Sequence, residues 1–146
     1  MTPNQIALVQ QSFELVVPVR QAAGMRFYER LFAQNPELRV LFRGDISTQV
    51  GHLMMALQMV VRSLNDLTPL LGRITELGRR HAGYGVTDEH FGLVGAAFLW
   101  TLEDMLGEAF TPDIKDAWAA AYGVLADAMI AAMREARSEM AMAAAA

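Results

Sequence analysis

Cysteine is absent from the 146 residues. That excludes disulfides, iron–sulfur clusters and thiolate ligation, and leaves imidazole or oxygen to hold any metal. Only three histidines, His52, His81 and His90, can supply the imidazole. Clustered charge is missing too: the formal net charge is −4 and the basic residues are scattered apart from the pair Arg79-Arg80. No footprint for nucleic acid is visible, and none is expected as a partner. Although 53% of the residues are apolar and only 19% charged, no uninterrupted apolar run reaches the roughly 18 residues of a membrane span, so no membrane partner is expected either. The opening Met1-Thr2-Pro3-Asn4-Gln5 lacks the basic start and apolar run of a secretory signal, and a cytoplasmic protein is the expectation. Strand signals are missing as well, since no two alternating β-branched runs are joined by a glycine-containing turn.

Helix punctuation, by contrast, is plentiful. Thr2-Pro3-Asn4-Gln5 presents an N-cap hydroxyl, a proline at the first helical position and a capping-box glutamine, and Ile6, Val9, Phe13 and Val16 follow at helical spacing. Pro18 disfavours helical geometry at Val17, which predicts a break there and a second helix carrying Met25, Tyr28, Leu31 and Phe32. Gly24, inside that helix, costs about 1 kcal/mol against alanine; it is either a tolerated weak spot or the place where another helix comes close. Asn35-Pro36 opens a short helix to Phe42, Arg43-Gly44-Asp45 makes a turn, and Ser47 or Thr48 opens a helix through Leu64. Leu67 to Gly83 forms the next stretch, imperfect at its start because of Pro69 and Gly72. Thr87 caps a helix from Asp88 to Met105, Gly107 ends it, and Thr111-Pro112 starts the last, which runs to Glu139. Residues 140–146 are an alanine-rich tail expected to fray. Six or seven helices without a heptad repeat predict one all-α domain over residues 1–139, with crossed rather than up-and-down packing. A chain of this length buries roughly 70% of its unfolded surface, so one core suffices.

Leu77-Gly78-Arg79-Arg80-His81-Ala82-Gly83-Tyr84-Gly85-Val86 places an imidazole at a helix end, immediately before a glycine-rich corner. Taken alone, such a histidine complements the helix dipole more often than it ligates a metal. The ten methionines, Met54-Met55 among them, read as adaptable core packing. Arg79 and Arg80 are either surface charges, or positive charge that complements the helix end or meets the acid groups of a bound ligand.

At this point the sequence resembles the globin family, and within it the single-domain bacterial haemoglobins and the globin part of flavohaemoglobins. The resemblance runs from about residue 4 to residue 133 and rests on order and spacing. It comprises Phe27-Tyr28-Glu29-Arg30-Leu31-Phe32, Asn35-Pro36-Glu37-Leu38, Leu41-Phe42, Leu77-Gly78-Arg79-Arg80-His81, Glu89-His90-Phe91 with Val94-Gly95, and Ala117-Trp118 with Ala121-Tyr122-Gly123-Val124-Leu125.

The resemblance implies a globin fold around one haem b. It makes His81 the proximal iron ligand and Phe42 the aromatic on the porphyrin face. Tyr28, Gln49 and Leu53 become the distal residues, and Leu77, Val86, Phe91 and Val94 lie about the haem. Gly24 becomes the small residue where the second and distal helices cross. Gln49 and Leu53 are four apart and share a helical face. Leu53 gives an apolar wall and Gln49 both a donor and an acceptor, with the Tyr28 hydroxyl as a second donor. Oxygen gains partial negative charge where it binds, so two donors in a dry pocket favour it over carbon monoxide. His52 points to the pocket rim, where it pairs with a haem propionate, faces water, or swings in to ligate iron. His90 is expected at the surface.

Flavohaemoglobins support the proximal imidazole with a tyrosine and a glutamate; the aligned positions here are Phe91 and Met133, neither of which can hydrogen-bond His81. Its outer nitrogen is left with a backbone carbonyl about one turn earlier, near Leu77. No flavin- or nicotinamide-binding segment occurs within these residues. The resemblance therefore implies reversible binding of oxygen, nitric oxide and carbon monoxide. The alternative is oxidation of nitric oxide to nitrate with a separate reductase, and a haem-free sensory or structural globin module is a third class.

Overall fold

The structure, a computed structural model, describes residues 1–145. It consists of six α-helices: α1 Pro3–Val16, α2 Arg20–Gln34, α3 Ile46–Arg62, α4 Leu71–Gly83, α5 Asp88–Leu106 and α6 Pro112–Ala145. No strand occurs among the described residues. Short 3-10 segments at Val17–Val19, Pro36–Leu41 and Thr68–Leu70 carry the chain between helices, each at one of the prolines that forbid a continuous α-helix.

The helix boundaries follow side-chain chemistry. Thr2 and Gln5 form the expected capping box, with hydrogen bonds of 3.0 and 3.1 Å. Thr111 Oγ1 accepts from the Ile114 amide at the start of α6. Gly107 ends α5 with a φ of +56°. Four expected helix bounds need correction. The segment after Asn35-Pro36 is a 3-10 turn rather than an α-helix. The third helix starts at Ile46 with Asp45 in the cap position, so Ser47 and Thr48 lie in its first turn, and it stops at Arg62. The helix expected from Leu67 begins regularly only at Leu71. The last helix continues beyond Glu139 to Ala145, so no break marks the start of the alanine-rich tail, whose side chains to 145 are exposed; Ala146 lies outside the described residues.

One core of buried side chains joins α1, α2, α3, α5 and the start of α6, with Val9, Leu31, Val50, Ala117 and Trp118 essentially sealed from solvent. Trp118 satisfies its indole by donating to Ser12 Oγ at 2.8 Å, as a buried N–H must. The methionines correct the sequence reading. Of ten, only Met54, Met129 and Met133 are buried, while Met1, Met25, Met55, Met140 and Met142 are exposed. An unbranched thioether is a good helix former and is tolerated on outer faces.

Two facts of packing position the site. α3 packs on α1 and α2, whereas α4 packs chiefly on α6. The helices bearing Gln49 and His81 are thus supported from behind by different partners rather than by each other.

Candidate functional site

His81 occupies the last turn of α4 and is half-buried. Its Nδ1 lies 2.5 Å from the carbonyl oxygen of Leu77, one turn back. A carbonyl oxygen only accepts, so Nδ1 carries the proton and Nε2 keeps a free lone pair. The rings of Tyr84 and Phe91 lie beside the imidazole at 5.4 and 6.1 Å between centroids. Met133, at the position aligned with the flavohaemoglobin glutamate, is fully buried in α6.

Tyr28 sits on the inner face of α2, 3% exposed. Its ring is enclosed by Phe27, Phe42 and Phe32 at 4.9, 5.3 and 5.9 Å. Burial pushes its hydroxyl up to about pKa 12, and the nearby Gln49 side chain pulls the other way. Tyr28 and Gln49 are therefore neighbours, without a direct hydrogen bond between their side chains. Leu53 is half-buried on α3, and His52 beside it is exposed. Phe42 follows the turn Pro36–Leu41 and packs edge-on against Phe32 at 5.4 Å.

Val94 lies half-buried on α5. Val86 is held in the corner after α4 by its carbonyl, which accepts from Arg137. His90 is half-buried, not a free surface group: its Nδ1 accepts the Thr87 amide at 3.0 Å and completes a capping box at the start of α5. Arg79 pairs with Glu139, and Arg80 with Glu76 at 2.6 Å. Both arginines are thus engaged in surface ion pairs.

Sequence reasoning missed Phe27, Phe32 and Phe98 as the shell behind the distal tyrosine. The spacing of Tyr28 and Phe32 at i and i+4 was the available signal. It also missed Arg137, which lies 51 residues from Val86 and carries no local signature.

Phe42, Leu53, Leu57, Leu93, Val94 and Phe98 pack against the core but are themselves only half-buried. Half-buried apolar side chains of this kind suit contact with a flat apolar group. The small apolar cavity of about 20 Å³ bordered by Leu53 is far too tight to enclose one. Among the described residues no group of three or more His, Cys, Asp or Glu is placed to hold a bare metal ion. The residues fit haem: one imidazole with a free Nε2 and apolar walls.

An all-helical protein with an imidazole at the end of one helix and half-buried apolar and aromatic side chains around its core has the makings of a haem-binding protein. Residues 25–129 match the Globin family, and the chain belongs to that family. It is 38% identical over 133 residues to a flavohemoprotein of Chromobacterium violaceum, covering 84% of this chain and 33% of the relative. It is also 37% identical over 121 residues to one of Bacillus subtilis, covering 78% and 30%. The chain thus spans about a third of the length of these relatives. Among solved structures, an engineered carbene transferase made from a candidate nitric oxide dioxygenase of Rhodothermus marinus matches with a TM-score of 0.89 and 26% identity, over 97% of this chain and 99% of the other. A bacterial globin from Campylobacter jejuni matches with a TM-score of 0.85 and 23% identity, over 94% and 99%, and shows the shared fold.

Proposed function

We propose that this globin binds one haem b through His81 and reversibly takes up oxygen and other diatomic gases against Tyr28 and Gln49. The observation that carries the reading is a buried tyrosine on α2, Tyr28, with Gln49 of α3 as its polar neighbour. Bound haem supplies an open iron coordination position for the gas. His81 offers Nε2 to the iron because the Leu77 carbonyl keeps the proton on Nδ1. Tyr28, held neutral to high pH, donates a hydrogen bond to a ligand that acquires negative charge, and Gln49 adds its own donor. Phe42, Leu53, Val94 and Phe91 exclude water from the faces of the ring. Leu77 and Val86 contribute backbone carbonyls, one holding His81 and the other the corner.

His52 is assigned to the rim, where it faces water or a propionate. The protein is expected to work in the cytoplasm. The direct test is the absorption spectrum of the purified protein: a Soret band in the parent and its loss in His81→Ala support the assignment, whereas a colourless protein that stays so after incubation with haemin overturns it.

A second reading is oxidation of nitric oxide to nitrate, with a separate reductase returning the electron consumed in each cycle. The similarity to flavohemoproteins and to the Rhodothermus marinus protein favours it. Sustained nitrate formation with a cellular reductase, beyond a single stoichiometric oxidation, distinguishes it from simple gas binding.

A further inference from the structure

α6 grips α4 at two points that bracket His81. The first is Gly78, buried one turn before it. A Cβ at Gly78 would lie 2.7 Å from the Met129 carbonyl oxygen and 2.8 Å from Ala132 Cβ. Neither obstacle is a flexible side-chain end: one is helix backbone and the other is fixed to it, so the axes of α4 and α6 approach as far as a glycine allows. The second point is Arg137, which donates to the Val86 carbonyl and to Asp88 Oδ1 at 3.2 Å, while Arg134 holds the same carboxylate at 2.6 Å. Asp88 opens α5, so the corner between α4 and α5 is pinned to α6 from outside.

A helix transmits such constraints rigidly: Gly78 and His81 are separated by about 4.5 Å of rise within one hydrogen-bonded turn. The Leu77 carbonyl that fixes the imidazole belongs to the residue beside Gly78. Displacing α4 at Gly78 therefore moves the imidazole and its hydrogen-bond acceptor together.

We propose that Gly78 is a positioning residue: by setting the separation of α4 from α6 it fixes where Nε2 of His81 stands relative to the haem iron, with Arg137 as the second anchor. The inference rests on His81 as the axial ligand. Alanine ordinarily strengthens a helix over glycine, so weaker haem retention in Gly78→Ala runs against intrinsic propensity. Gly72→Ala is the matched control, because it adds the same methyl to the same helix with nothing within 4 Å.

The test uses the haem-loaded protein and two readouts: the iron–histidine stretching band of the ferrous, gas-free form, and the rate of haem transfer to an apomyoglobin trap. Gly78→Ala is expected to shift or split the band and to speed haem loss about ten-fold or more. Arg137→Gln is expected to act in the same direction by less, and Gly72→Ala to match the parent. If Gly78→Ala does not assemble, Ala132→Val adds bulk to the same contact from α6 and carries the same expectation. An unshifted band in the Gly78 and Ala132 variants overturns the proposal, even with faster haem loss, since Gly78 would then serve packing alone. His81→Ala separates the two layers. If it keeps the parent band, the axial assignment fails and the positioning role falls with it; if it abolishes the band while Gly78→Ala leaves it in place, only the positioning role fails.

Discussion

Gly24 of α2 lies so close to Val50 of α3 that an added Cβ would overlap one valine methyl and stand 3.2 Å from the other. Val50 is fully buried and β-branched, so neither methyl can rotate away. Gly24→Ala is expected to lower stability by about 1–3 kcal/mol despite the better helix propensity of alanine. Chemical denaturation checks it. Val50→Ala alone should destabilise as well, yet the double variant should be more stable than the two losses added together, because the second change removes the overlap created by the first. Strict additivity would mean that the two residues do not meet.

Alkaline pH should act through Tyr28. Burial raises its folded-state pKa from the ordinary tyrosine value of about 10 to about 12. Between those values the folded state binds more protons than the unfolded state. The stabilisation is therefore complete below pH 10 and is lost as pH rises through 12, at most about 3 kcal/mol for a shift of this size. Burial raises Tyr122 in the same direction. Tyr28→Phe should flatten part of the fall in stability between pH 10 and 12, measured by denaturation at fixed pH alongside tyrosinate absorbance. An unchanged slope would place Tyr28 outside the buried site.

The all-helical fold was legible because its signals are local. Prolines at 3, 18, 36, 69 and 112 each mark a helix start or break, and Thr2, Thr87 and Thr111 each announce a helix. Gly24 was readable only as two alternatives, since Val50 lies 26 residues on and sequence does not say which helices cross. The capping role of His90 was missed because glutamate or glutamine is the usual partner at that place. The Arg137 clamp and the Gly78 contact were invisible for a different reason: both depend on the register of α6 against α4, which no local pattern encodes. Within the site, the partnership of Leu77 and His81 was legible because one helical turn fixes it, whereas the enclosure of Tyr28 by three phenylalanines required the packed structure.

His81→Ala should lose haem or leave it weakly and heterogeneously bound, because no other histidine lies on α4. His52→Ala, altering an exposed side chain, should retain it. With Gln49 as the distal group, the ferric protein should be mainly high-spin, since an amide is a poor iron ligand beside imidazole. A low-spin bis-histidine spectrum abolished by His52→Ala would assign His52 to the iron instead.

Oxygen dissociation should accelerate strongly in Tyr28→Phe and less in Gln49→Leu, because each removes a donor to a ligand that carries negative charge. A hydrogen bond to a charged acceptor contributes roughly 1.5–3 kcal/mol, so loss of the tyrosine donor should raise the off-rate on the order of ten- to a hundred-fold. Tyr28 is the stronger donor because its side chain is buried and its hydroxyl stays protonated to about pH 12, and a phenol donates a stronger hydrogen bond than an amide. Carbon monoxide supplies the control. It gains little negative charge on binding, so its dissociation should change much less in the same variants, and the ratio between the two gases isolates the electrostatic part. Equal acceleration of both would reduce Tyr28 and Gln49 to packing; no acceleration of either would remove them from the gas pocket and with them the functional reading built on the pair.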